Sequence, residues 1–205
     1  MIEKTHVYKL YGIPYLGSMV VEFLMEEVGI EYEIIFPSPE ERRSAEFKNI
    51  SPRGLVPVLI TPNGSSIFEG LAIIKFLLET HQTDLIAPIG NPDRAKCYQW
   101  LSFLATALGN ANNRFFFPER YGSDENDIRE RAELDRKSCY DILENYSDPF
   151  LSGKIYGIAD FYFYMFMQWD ENKMVELAKR PNLEKMYNQI NQISSIQKVI
   201  KNQPS

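Results

Sequence analysis

Between Val7 and Phe36 the chain sets one helical stretch between two strand patterns. Val7-Tyr8-Lys9-Leu10-Tyr11 reads as a strand. From Gly17 to Val28 the apolar residues Met19, Val20, Phe23, Leu24 and Val28 recur at helical spacing, and Gly29 follows as the residue that ends the helix. Glu31 to Phe36 reads as a second strand, with Tyr32, Ile34 and Phe36 alternating against Glu31, Glu33 and Ile35. Two strands joined through a helix pair in parallel, because a tight turn can join only antiparallel neighbours.

The next elements extend this start. Pro37-Ser38-Pro39 breaks the chain, and Glu40 to Asn49 reads as a weak, charged helix. Leu55 to Ile60 reads as a strand that carries Pro57. Asn63-Gly64 is a hairpin signal, and Ser65 to Phe68 is the return strand. Glu69 to Glu79 has Leu71, Ile73, Ile74, Leu77 and Leu78 at helical spacing. The order is β-α-β-α-β-β-α over residues 1–82. Residues 83–90, with their proline and glycine, read as a linker. Residues 91–205 show no further strand pattern. Helical stretches run from Asn91 to Phe117, Asp124 to Tyr146, Ile158 to Trp169 and Leu183 to Ile200. The expected fold class is α/β plus all-α.

Composition narrows the function. With 22 Lys and Arg against 28 Asp and Glu the net charge is -6, and no basic run exceeds Arg42-Arg43. That argues against nucleic acid, whose phosphates require clustered cations. Cys97 and Cys139 form no zinc spacing, and His6 and His81 are the only histidines, so no metal site is expected. No apolar run reaches the ~18 residues of a membrane span. Met1 to His6 lack the pattern of a secretory leader. These features predict a reduced, cytoplasmic chain.

Two local features carry chemistry. Proline cannot donate to a sheet ladder, so Val56-Pro57 is expected either at a sheet edge or in a cis bond that frees the Val56 main chain for a ligand. Glu69 opens a helix whose first N–H groups lack partners, and helix starts hold anions. Glu69 and the Gly70 N–H together suit an amino-acid head group; alternatively Glu69 only complements the helix dipole.

The segments Asn49-Ile50-Ser51-Pro52-Arg53-Gly54-Leu55-Val56-Pro57-Val58-Leu59, Asn63-Gly64 and Ile67-Phe68-Glu69-Gly70-Leu71-Ala72-Ile73 resemble, in order and spacing, those of the cytosolic glutathione transferases of bacterial type. Gly157-Ile158-Ala159-Asp160 and Arg180-Pro181-Asn182-Leu183 resemble two helix starts of that family. The resemblance implies a thioredoxin-like N-terminal domain, an all-helical C-terminal domain, a homodimer and glutathione as co-substrate. Val56, beside a cis Pro57, would pair with the cysteinyl part of glutathione. Glu69 would meet its ammonium and Gly70 its carboxylate. Arg53 and Leu55 would lie near its glycyl end.

The sequence departs from the family pattern at three places. Gly70 replaces a usual Ser, and Leu55 a usual Gln or Lys; Arg53, Arg42 or Arg43 is a candidate substitute cation. The third place follows the first strand, where the family carries a Tyr, Ser or Cys that contacts the glutathione sulfur. Here the segment is Tyr11-Gly12-Ile13-Pro14-Tyr15-Leu16-Gly17-Ser18. Tyr15 is the first candidate and Ser18 the second, with Tyr11 behind them; Ser18 as a helix cap is the plain alternative. No cysteine lies in this segment, which disfavours a mixed disulfide on the protein. Leu16, Phe116 and Phe117 are candidates for the side facing a small hydrophobic electrophile. Asp160 is expected to serve folding through its helix start. The resemblance admits three activities: conjugation to electrophiles, glutathione-dependent peroxide or disulfide reduction, or binding without turnover.

Overall fold

The computed structural model describes residues 7–147 and 149–204; the segment read above for a leader lies outside them. The chain forms two units. One holds the residues through Thr83 together with those from Gln192 onward, and the other is Asp84–Asn191.

The first unit is built on four strands: β1 (Tyr8–Tyr11), β2 (Tyr32–Ile35), β3 (Val58–Ile60) and β4 (Ser66–Phe68). Their order in the sheet is β2-β1-β3-β4. β1 and β2 are parallel, whereas β3 runs antiparallel to both β1 and β4. α1 (Met19–Val28) makes the crossover, and Gly29 ends it at φ 76° with its N–H on the carbonyls of Glu26 and Met25. The charged stretch after β2 is two short helices, α2 (Pro39–Arg43) and α3 (Ala45–Ile50). Ser44 separates them: its extended backbone ends α2, while its hydroxyl accepts the Phe47 N–H that opens α3. α4 (Gly70–Thr80) follows β4.

Phe47 of α3 packs with Val58, Ile60, Tyr11, Ile50 and Val56. α1 is buried nearly all round: Met19, Val20, Val21, Phe23, Leu24 and Met25 are at most 1% exposed. A helix without a polar face needs cover on every side. Part of that cover is α11 (Ser194–Asn202), which supplies buried Ile196 and Val199. Lys198 Nζ pairs with Glu26 Oε2 at 2.7 Å, and the Ser195 hydroxyl donates to Glu27. The sequence reading carries Leu183 to Ile200 as one closing helix of the second unit. In the structure it is two helices, and the later one packs on α1.

The second unit is helical. α5 (Pro92–Phe103), a π-helical turn (Leu104–Leu108) and α6 (Gly109–Phe116) run on from one another. α7 (Glu125–Tyr146), α8 (Ile158–Gln168), α9 (Lys173–Leu177) and α10 (Pro181–Ile190) complete it. The residues expected as linker are partly structural: Leu85 and Ile86 are buried, and the Leu85 carbonyl accepts the Ile158 N–H. α8 is the centre, with Ile158, Phe161, Phe163, Met165 and Met167 at most 1% exposed. Asp160 is fully buried at its start. Its carboxylate accepts the N–H groups of Gly157 and Leu151, both at 2.8 Å. Burial pushes its pKa up from 3.8 to about 6, against the pull of those donors. The Asp160 side chain thus serves the helix start and the 151 loop.

Candidate functional site

The register of the sheet gathers three loops of the first unit at one edge. Tyr11 pairs with Val58, and Val58 pairs with Phe68. The β1–α1 loop leaves the sheet just after Tyr11, Val56-Pro57 enters it just before Val58, and Glu69-Gly70 leaves just after Phe68. Pro57 is their common neighbour. A Cβ built on Gly70 would stand 3.5 Å from Pro57 Cγ, and one built on Gly17 would stand 3.9 Å from Pro57 Cδ.

The Val56–Pro57 peptide bond is cis. The ladder begins at Val58, and among the described residues the Val56 main chain has no hydrogen-bond partner. The preceding loop is held by Ser51, whose hydroxyl donates to the Leu55 carbonyl at 2.7 Å and accepts the Leu55 N–H at 3.1 Å. Gly54 has φ 65° and passes so close to α2 that an added Cβ would lie 2.4 Å from the Arg42 carbonyl oxygen, so this turn admits only glycine. Arg53 and Leu55 are exposed on the loop.

Glu69 stands at φ 71° and ψ 116°, one of two non-glycine residues with positive φ among those described; the other is Tyr15. Its side chain makes no cap bond to α4. It is exposed, and the N–H groups of Gly70, Leu71 and Ala72 stand in the first turn, ahead of the first intrahelical bond from the Ile73 N–H to the Glu69 carbonyl. A carboxylate beside free N–H donors suits a zwitterion, with the ammonium on Glu69 and the carboxylate on the helix.

The β1–α1 loop separates the candidate hydroxyls. Ser18 is fully buried and donates to the Ile13 carbonyl at 3.3 Å. It lies against the Gly12 backbone, where a Cβ would meet Ser18 Oγ at 2.3 Å. It occupies the N-cap position of α1 without a side-chain cap bond. Its hydroxyl therefore holds the turn together, with no surface facing solvent. Tyr11 packs edge-to-face on Phe47 at 5.6 Å. Tyr15 is 44% exposed, and its N–H donates to Gln203 Oε1 at 3.0 Å. Of the three hydroxyl side chains, Tyr15 has the largest solvent-facing surface.

Gln203 and Glu22 escaped the sequence reading. Gln203 Nε2 donates to Glu22 Oε2 at 3.2 Å, and both residues are buried. Burial pushes the Glu22 pKa up from 4.5 to about 7; hydrogen bonds from Gln203 and Ser18 pull it down and the neighbouring Glu26 charge raises it. A signal for Glu22 did exist, since it is the one carboxylate inside the apolar run Met19 to Met25. Gln203 has no such local signal.

In the helical unit, Asn112 is buried and accepts from Arg136 Nε at 2.7 Å, and Arg136 forms a buried ion pair with Asp170. Arg114 pairs with Asp135. These side chains are committed to their neighbours, while Phe116 packs edge-on with Phe115 and Trp169. Burial pushes the thiols of Cys97 and Cys139 up to about 12 and about 11, so both are protonated at neutral pH.

Residues 6–79 match the model of the glutathione S-transferase N-terminal domain. That match identifies the first unit as a glutathione S-transferase N-terminal domain. It is 26% identical over 165 residues to glutathione S-transferase GstA of Escherichia coli O157:H7, covering 78% of this chain and 81% of that one. It is 24% identical to the GST-like protein YncG of Escherichia coli K12, over 94% and 97% of the two chains. A glutathione transferase homologue from Lodderomyces elongisporus, solved with two glutathione molecules per subunit, superposes with a TM-score of 0.85 at 22% identity. That match covers 97% of this chain and 99% of the other, and it shares the fold: a thioredoxin-like sheet unit followed by helices.

Proposed function

We propose that this chain is a glutathione transferase that binds glutathione on the first unit and conjugates its thiolate to small hydrophobic electrophiles. The observation that carries the reading is the convergence of Val56, Glu69-Gly70 and the Tyr15 loop around Pro57. An extended tripeptide laid along this edge would pair with the Val56 main chain as a neighbouring strand does. Its γ-glutamyl ammonium would meet Glu69, and its carboxylate the N–H of Gly70. Its glycyl end would face Leu55 and Arg53. The sulfur would lie by the β1–α1 loop, where Tyr15 is the accessible hydroxyl.

A free thiol has a pKa near ~8.5, and only the thiolate is a good nucleophile. A hydroxyl donor lowers that value, and holding the partners together does the rest. Peroxide reduction by glutathione needs the same thiolate. Binding without turnover is the second reading, and its support is specific: Ser18 is sealed in the turn, and Gly70 offers no hydroxyl. Family likeness also supports a homodimer and a cytoplasmic location; no helix among the described residues is long and apolar enough to cross a membrane.

Calorimetry with glutathione on the wild type and on Glu69→Ala tests the site. The expected result is micromolar to millimolar binding that Glu69→Ala abolishes. Folded wild type that stays unbound at several millimolar would overturn the reading. Turnover with a chlorodinitrobenzene, lost in Tyr15→Phe, separates enzyme from binding module.

A further inference from the structure

Gln203 joins two places that are far apart in sequence. Its amide is buried, with Oε1 on the Tyr15 N–H at 3.0 Å and Nε2 on Glu22 Oε2 at 3.2 Å. An amide carries an acceptor and a donor on one rigid head. A main-chain N–H can only donate, so it takes the amide oxygen and leaves the amide N–H for the Glu22 carboxyl oxygen. The two partners therefore fix which end of the amide faces which.

Tyr15 needs such a hold. Its φ of 59° lies in the left-handed region that disfavours side chains larger than glycine. The remaining bonds of the loop bypass it: Leu16 N–H and the Ser18 hydroxyl both donate to Ile13, and Met19 N–H donates to Leu16. Only the Gln203 amide grips the Tyr15 main chain among the described residues. Of the Glu22 oxygens, Oε2 takes the Gln203 amide while Oε1 is buried and unbonded, and the Ser18 hydroxyl lies close enough to help hold the carboxylate. A buried carboxylate is costly unless it is hydrogen-bonded, and Gln203 Nε2 supplies such a bond to Glu22.

We propose that Gln203, aligned by Glu22, is a positioning residue that holds the Tyr15 backbone so that its hydroxyl addresses the glutathione sulfur. The inference rests on the reading of Tyr15 given above. Gln203 touches no substrate; it acts through Tyr15. Its loss leaves Val56, Glu69 and Gly70 in place, so glutathione affinity survives while thiolate stabilisation does not.

The test uses the full chain with Gln203→Met, which keeps the volume and removes both bonds. Because that variant leaves Glu22 buried without its donor and can lose stability, Glu22→Leu/Gln203→Met is made beside it. Three quantities are read in each: exchange of the Tyr15 amide proton by NMR, the ultraviolet titration of the bound thiolate, and kcat with KM for glutathione on a chlorodinitrobenzene. The expected outcome is Tyr15 exchange at least ~10-fold faster and kcat lower by roughly 10-fold, with KM within about twofold. The thiolate midpoint rises by about one pH unit, the same factor of ten. Adding Tyr15→Phe causes no further loss, because both changes remove one effect.

Unchanged Tyr15 exchange in both variants overturns the inference. So does faster exchange with unaltered kcat and thiolate midpoint in a protein where Tyr15→Phe lowers kcat. If Tyr15→Phe itself changes nothing while glutathione binds, the Tyr15 reading has failed and this inference falls with it. If wild type fails to bind glutathione, the whole site reading has failed.

Discussion

Replacing Glu22 by Gln should stabilise the first unit at high pH and leave it little changed at low pH. Glu22 is 3% exposed, and burial lifts its pKa from 4.5 to about 7 in the folded state. Between these values the folded chain holds a proton that the unfolded chain has released, so stability falls as pH rises through this window. Each pH unit is worth about 1.4 kcal/mol, so the full penalty above pH 7 is about 3 kcal/mol. Glutamine keeps a carbonyl oxygen for Gln203 Nε2 and carries no charge. At pH 8 Glu22→Gln should therefore exceed wild type by up to about 3 kcal/mol, and near pH 4.5 the gap should close to about zero. Both tryptophans, Trp100 and Trp169, lie in the second unit, so fluorescence would not probe the Glu22 site directly. Urea unfolding followed by exchange of α1 amides would. A gap that is constant from pH 4.5 to 8, or one that grows toward acid, would show that Glu22 is not the buried acid described here.

Three further outcomes follow from contacts in the structure. Asp160→Asn sets an amide N–H against a backbone N–H that the carboxylate now accepts, and should cost about 2–4 kcal/mol in tryptophan-detected urea unfolding of the second unit. Gly70→Ser adds a Cβ at an ordinary 3.5 Å from Pro57 and a hydroxyl at the helix start; glutathione affinity by calorimetry should rise roughly 10-fold, and a weaker complex would refute the placement of its carboxylate. Gly12→Ala drives a Cβ to 2.3 Å from Ser18 Oγ, and should cost about 1–3 kcal/mol by thermal melting; an unchanged melting temperature would contradict the buried pose of Ser18.

Much of the first unit was legible because its signals are local. Alternation in Glu31 to Phe36, helical spacing in Met19 to Val28 and the Asn63-Gly64 turn each report a neighbour a few residues away. Val56-Pro57 and Glu69-Gly70 could be picked out for the same reason: a proline in a strand and a carboxylate at a helix start are anomalies visible in one window. The split of the charged stretch at Ser44 was not visible, because it depends on one hydroxyl choosing the Phe47 N–H.

What tertiary structure alone decided is which of these pieces meet. The register Tyr11 with Val58 and Val58 with Phe68 brings three loops to Pro57, and no periodicity encodes it. The pose of Ser18 depends on the empty space above Gly12, which sequence shows only as a glycine. The seating of α11 on α1, and with it the grip of Gln203 on a residue 188 positions earlier, comes from closing a long loop around a helix that is buried on nearly every side. The sequence announces that α1 must be covered; only the folded chain reveals that Gln203 comes with the cover.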